Sequence, residues 1–351
     1  ALSSAASDVY KRQGQWCGGA MLYIEKGFRK SNTGSRFLQS VSKPLAAGFA
    51  LFGLLASSVG TPLVQSNTIA MSVNDAVLLF LPKAEQKTVC IIAGAATAVL
   101  VGIVILGGIQ RIGKASEIIV PFMAIGYIAI CIIVLSRFGS RILPAFCDIF
   151  SGALGIKQAV GGAAGFGAAR ALRIGMARGV YSNEAGVGSA PMAHACANTN
   201  DPVKQGMYGI FEVFADTIVM CTMTALVVLA SGIPLQAGGE ISGTSIALRA
   251  FSTVLPERTT GIFLAVSMLL FAYTSLLGWA VYGMQCAKYL FGKRAQLPFC
   301  ILYTVLTFAG ALMKVDFVWT AGETLNYLMA APNMLALLVL NREVRRETAF
   351  A

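Results

Sequence analysis

Small hard cations are held by oxygen, drawn from hydroxyls, carboxylates and freed backbone carbonyls. Two runs of this sequence supply such groups in apolar surroundings. In Phe271-Ala-Tyr-Thr-Ser-Leu-Leu-Gly-Trp279, Thr274 and Ser275 place two hydroxyls near one helical turn, with Trp279 one turn beyond Ser275. They can ligate a sodium-sized ion beside an apolar pocket wall, or bond back to the preceding turn while Trp279 packs. In Gly60-Thr-Pro-Leu-Val-Gln-Ser-Asn67, Pro62 should kink a helix and free a carbonyl. Gln65 then offers an amide that can hold an ammonium or carboxylate group, or simply join two helices. A third run, Gly161-Gly-Ala-Ala-Gly-Phe-Gly167, has four glycines in seven positions. Each costs about 1 kcal/mol against alanine in a helix. A broken helix whose freed backbone faces a cavity therefore competes with close packing through small residues.

Ionisable groups lie in the same apolar stretches. Arg170 and Arg173 share a helical face, Arg178 follows, and Asp216 sits in Val213-Phe-Ala-Asp-Thr217 with Glu212 one turn before it. Charges at such depth cost a few kcal/mol unless paired or wet. Asp216 can act as a cation ligand, a proton carrier, or half of a gating or structural ion pair with Arg170 or Arg173; the arginines can also snorkel to the surface. Ser182-Asn-Glu-Ala-Gly-Val-Gly-Ser-Ala-Pro191 reads as a loop entering a small-residue helix, with Asn183 as its cap and Glu184 in its first turn. Hydrolytic chemistry has no support: His194 is the one histidine and no G-x-S-x-G elbow exists. The eight cysteines include no C-x-x-C pair, so zinc ligation is unsupported too.

The elements that must position these groups are membrane helices. Of 351 residues, 56% are hydrophobic and only 12% charged; soluble domains carry about 25% charged residues. Mean hydropathy is +0.71. Eight candidate spans cover about 45–73, 88–108, 117–136, 159–197, 206–231, 261–291, 297–313 and 321–341. The chain divides into a polar remnant at 1–13, a cytoplasmic segment at 14–44, the membrane domain at 45–341 and a tail at 342–351. The net charge of +11 comes from cations between apolar runs, without a basic stripe interleaved with aromatics, which argues against nucleic acid. Lys and Arg are about twice as frequent in the loops on the side of both termini, which places both in the cytoplasm. A possible amphipathic helix around Ser245–Leu255 belongs outside.

Several runs together resemble the alanine/glycine:cation symporter family. They are Gly14-Gln-Trp-Cys-Gly-Gly-Ala-Met21, Gly107-Gly-Ile-Gln-Arg-Ile-Gly-Lys-Ala115, Val120-Pro-Phe-Met-Ala124, the stretch from Arg178 to Pro191, Asp216-Thr217, Leu277-Gly-Trp279 and Ala331-Pro-Asn333. The resemblance implies an all-α membrane protein with a leucine-transporter-like fold, of which this chain holds about eight of eleven transmembrane helices. It implies import of a small neutral amino acid by alternating access, coupled to sodium or protons, with no organic cofactor. It places substrate contact at Gln65, Asn67, Gly161, Gly165, Phe166, Gly167 and Trp279, and cation contact at Thr274 and Ser275. Arg170, Arg173, Asp216 and Glu184 remain gating or ion-pair candidates. The expected setting is the plasma membrane, with a small amino acid and the lipid bilayer as partners and a monomer favoured. Three expected spans would precede Gly14, so an N-terminally truncated, non-transporting membrane protein is the alternative.

Overall fold

The structure, a computed structural model, describes residues 10–12, 15–30, 36–153, 164–184, 186–195, 202–234 and 243–349. A short antiparallel hairpin joins β1 (Tyr10–Arg12) to β2 (Gln15–Cys17), and the remaining described elements are helical. The hairpin crosses the boundary at residue 13 that composition suggested.

Helix α1 (Ala20–Lys30) leads to α2 (Arg36–Leu55), which runs through a π turn at Ala56–Gly60 into α3 (Thr61–Leu78). From Arg36 to Leu78, α2, the π turn and α3 form a 43-residue apolar rod. Pro62 explains the π turn: it has no N–H to donate, and its ring would clash with the carbonyl four residues earlier in a regular helix. The irregularity expected at Pro62 is thus a widened turn just before it. Then come α4 (Gln86–Ile105), α5 (Ile109–Ser136), α6 (Gly139–Ala153), α7 (Ala164–Asn183) and the five-residue α8 (Ala190–His194). Helix α9 (Pro202–Val213) passes through a second π turn at Phe214–Cys221 into α10 (Thr222–Ser231). The chain ends with α11 (Gly243–Ser252), α12 (Glu257–Phe291), α13 (Gln296–Gly310) and α14 (Val315–Ala349). Helix α11 is the amphipathic segment expected near Ser245.

Six helical stretches among the described residues are long and apolar enough to cross a membrane: 36–78, 86–105, 109–136, 203–231, 257–291 and 317–341. Eight were expected. The stretch expected at 297–313 is α13, whose 15 residues reach only about 22 Å at 1.5 Å per residue. The stretch expected at 159–197 is divided: α7 ends at Asn183, a loop intervenes, and α7 carries Arg173 and Arg178.

Large apolar side chains cover the outside. Ile118 and Phe122 on α5 are 75% and 74% exposed, and Ile92, Val99 and Ile103 on α4 and Ile301 and Val305 on α13 also face outward. Water would not tolerate so much contiguous apolar surface, and lipid does. The protein is an all-α, multi-pass membrane protein.

Helices α3 and α12 form the centre and pack along each other, flanked by α4, α5 and α13. One end gathers α1, the second half of α2 and the late turns of α12 and α14, with Phe49, Cys286 and Met329 buried together. The other side of the bundle holds α5, α6, α10 and α11 around Tyr127 and Phe251.

Candidate functional site

The central contact of α3 with α12 brings two sequence-selected residues together. Gln65 Nε2 donates to Ser275 Oγ at 3.2 Å, in a half-buried position. The two residues lie 210 positions apart and meet because both central helices turn these faces toward each other. Thr274, beside Ser275, takes the local alternative: its Oγ1 donates to the carbonyls of Leu270 and Phe271, both at 3.0 Å. Asn67 is removed from any open space. Its Nδ2 donates to Gly310 O at 3.1 Å and Met313 O at 2.8 Å, tying the end of α13 to α3. That uses both donors of its amide nitrogen.

Trp279 follows Ser275 by one turn on α12 and is 4% exposed. Its Nε1 donates to Glu184 Oε1 at 2.6 Å, and Ser189 Oγ donates to Glu184 Oε2 at 2.7 Å. Glu184, a gating or ion-pair candidate, thus accepts from two neutral donors. The loop after α7 is shaped by left-handed residues, Glu184 at φ 54°, Gly186 at 82° and Gly188 at 94°. Gly188 has no room for a side chain, since a Cβ would stand 2.7 Å from Phe49 and 2.8 Å from Asn333. Asn333 Nδ2 donates to Gly186 O at 2.8 Å, and Tyr23 OH donates to Asn333 Oδ1. The loop is thus pinned by α1, α12 and α14, and it touches the central site through Trp279. Asn183 is the last residue of α7 and donates to Thr217 at the second π turn, rather than capping the next helix.

The expected ion pairing differs as well. Arg173 is exposed, and among the described residues no ion pair joins it to Asp216, which lies in the π turn Phe214–Cys221. The pair that forms is Arg178 Nη1 with Glu323 Oε1 at 2.9 Å, with the guanidinium 4.2 Å from the Trp319 ring centre. Arg178 is held by α14 because Glu323 and Trp319 sit one turn apart there. Gly161 lies outside the described residues. Gly165, Phe166, Gly167 and Arg170 lie in the opening turns of α7, and their side chains fall outside the description.

Sequence reasoning missed Glu323, Asn333 and Tyr23 as site-building residues. Glu323 was findable by the rule that drew attention to Asp216, as a lone carboxylate in an apolar stretch. Asn333 had no chemical signal, because its amide matters only through the backbone it meets.

The similarities to other proteins agree with this architecture. A sequence profile described as "Sodium:alanine symporter family" matches residues 3–349, which begins within the stretch set apart at 1–13. A sodium/alanine symporter AgcS of Methanococcus maripaludis is 37% identical over 338 residues, covering 95% of this chain and 69% of that protein. An uncharacterized transporter of Haemophilus influenzae is 34% identical, covering 97% of this chain and 70% of that protein. A probable sodium/glutamine symporter GlnT of Bacillus subtilis is 32% identical, covering 98% of this chain and 66% of that protein. The chain is a transporter of symporter type, not an enzyme, and it belongs to the sodium:alanine symporter family.

Proposed function

We propose that this protein imports a small neutral amino acid of the alanine or glycine type, coupled to sodium, across the plasma membrane. The observation that carries the proposal is the Gln65–Ser275 contact at 3.2 Å between the two central helices. It sets an amide and a hydroxyl side by side in the half-buried middle of the bundle, one turn from Trp279. An amide can bind either end of a zwitterion, and a hydroxyl oxygen is a sodium ligand that carries no full charge. Coupling follows if the substrate and the ion both favour the same occluded arrangement of these helices. Both ends of the chain lie on the cytoplasmic side in this reading, with α1, the late turns of α12 and the loop at 184–189 facing the cytoplasm.

The test is uptake of labelled alanine or glycine into liposomes containing the full-length protein. Uptake that follows an imposed sodium gradient supports the proposal, and uptake indifferent to that gradient refutes it. Ser275→Ala is expected to raise the half-saturating sodium concentration about tenfold, the equivalent of ~1.4 kcal/mol. An unchanged sodium response would remove Ser275 from the ion site.

A further inference from the structure

At the end of the bundle opposite α1, the C-terminal turn of α3 meets α11 and the first turns of α12 around a small cavity. Its wall includes Ser72, Asp75, Thr244, Leu248, Gly261 and Leu264. It leaves about 20 Å³ for the centre of a water-sized sphere, slightly more than the ~10–15 Å³ that a single water needs. Outside it lies a wider cleft, also lined by Asp75, with Ser245, Arg249, Ser252 and Glu257.

Asp75 faces neutral polar groups on the cavity wall. Among the described residues it has no ion pair. Ser245 Oγ donates to its Oδ2 only at 3.4 Å, beyond the ~2.5–3.0 Å of a good O–H···O bond. Thr244 lines the cavity with it. Beside it, Ser72 is 5% exposed, its Oγ has no hydrogen-bond partner, and it lines the same cavity. Native buried hydroxyls are almost always satisfied, so this one calls for an occupant.

We propose that this cavity is a binding site for one sodium-sized monovalent cation, held by the Asp75 carboxylate, Ser72 Oγ and the Thr244 hydroxyl, all of which line it. The donor set is all oxygen, which suits a hard cation. One carboxylate balances one unit of positive charge, whereas a divalent ion would leave the pocket with net charge in low dielectric. The size admits one ion and excludes an amino acid. The site joins α3 of the central pair to α11, so occupancy would fasten the outer helix over the end of the bundle. It is separate from the Gln65–Ser275 pair and does not require that pair to be the coupling site.

The experiment is equilibrium binding of radioactive sodium to the purified full-length protein in detergent, with choline replacing sodium at constant ionic strength. Asp75→Asn is expected to raise the half-saturating sodium of one binding component at least about tenfold, and Ser72→Ala about threefold. Ser275→Ala should leave that component where it was. A curve for Asp75→Asn that overlays the wild type overturns the proposal and leaves a water as the occupant. Should Asp75→Asn fail to fold, Ser72→Ala decides alone, and an unshifted curve overturns the site. Sodium-independent uptake with an intact Asp75-dependent component would refute the symport reading and not this one.

Discussion

Glu184→Ala is expected to lower the unfolding midpoint of the purified protein sharply and to abolish uptake. The substitution removes the acceptor for both Trp279 Nε1 and Ser189 Oγ. Trp279 is 4% exposed and Ser189 fully buried, so neither donor can turn to solvent. A buried polar group left unpaired costs about 1–3 kcal/mol, and two are left. Glu184→Gln keeps an acceptor oxygen for one of them and should fall between wild type and alanine. Glu184→Gly separates side chain from backbone. It relieves the left-handed φ of 54°, worth about 1–3 kcal/mol for a residue with a Cβ, yet loses both bonds. Glycine should therefore be less damaging than alanine. Thermal unfolding in detergent checks the order, and a glycine variant no better than alanine would show that the backbone at 184 is unstrained.

The second large effect is expected at Gly310. A Cβ there would stand 2.5 Å from Leu63 Cα, 2.8 Å from Leu63 O and 3.0 Å from Pro62 O. These are backbone atoms of α3, so no side chain can rotate away, and α13 must lift off as a body. Lifting it also strains the bonds from Asn67 to Gly310 O and Met313 O. Overpacking of a tight interface costs about 1–3 kcal/mol and sometimes more. Gly310→Ala should sit at or above the upper end and shift the unfolding midpoint down. Gly126→Ala is the matched control, since nothing lies within 4 Å of a Cβ on that mid-helix residue. It should be neutral or gain about 1 kcal/mol of helix propensity. Equal midpoints for the two variants would mean that α13 does not approach α3 as closely as described.

Much of the architecture was legible because lipid imposes a simple rule on sequence: long apolar stretches become helices. The ends of α4 and α12 follow from it to within a few residues, while α5 begins eight residues before the expected 117. The divided 159–197 segment escaped the rule because apolar character does not report where a helix breaks. Pro62 announced an irregularity, though not its form, a π turn just before the proline and not a bend. The π turn at Phe214–Cys221 contains no Gly or Pro and left no trace in the sequence. At the site, the residue types at Gln65, Ser275 and Trp279 pointed to chemistry, while their partners did not. Nothing local says that Gln65 will meet a residue 210 positions away, or that Glu184 will meet Trp279. Family resemblance named the 178–191 run, and only the fold shows that it touches the central helices.

The π turn at Ala56–Gly60 makes the long rod of α2 and α3 forgiving at one place. A π turn is a dislocation holding one residue more than the α-helix it interrupts. Deleting a residue elsewhere in the rod would rotate everything beyond it by about 100°. That would swing either the face of α2 that meets α1 and α14, or the face of α3 that meets α12, out of contact. Deleting one residue within 56–60 instead heals the dislocation and leaves both faces in phase, provided Pro62 is also replaced so that a regular turn can form. The rod thus carries a single seam at which its length can change by one residue without changing what it touches.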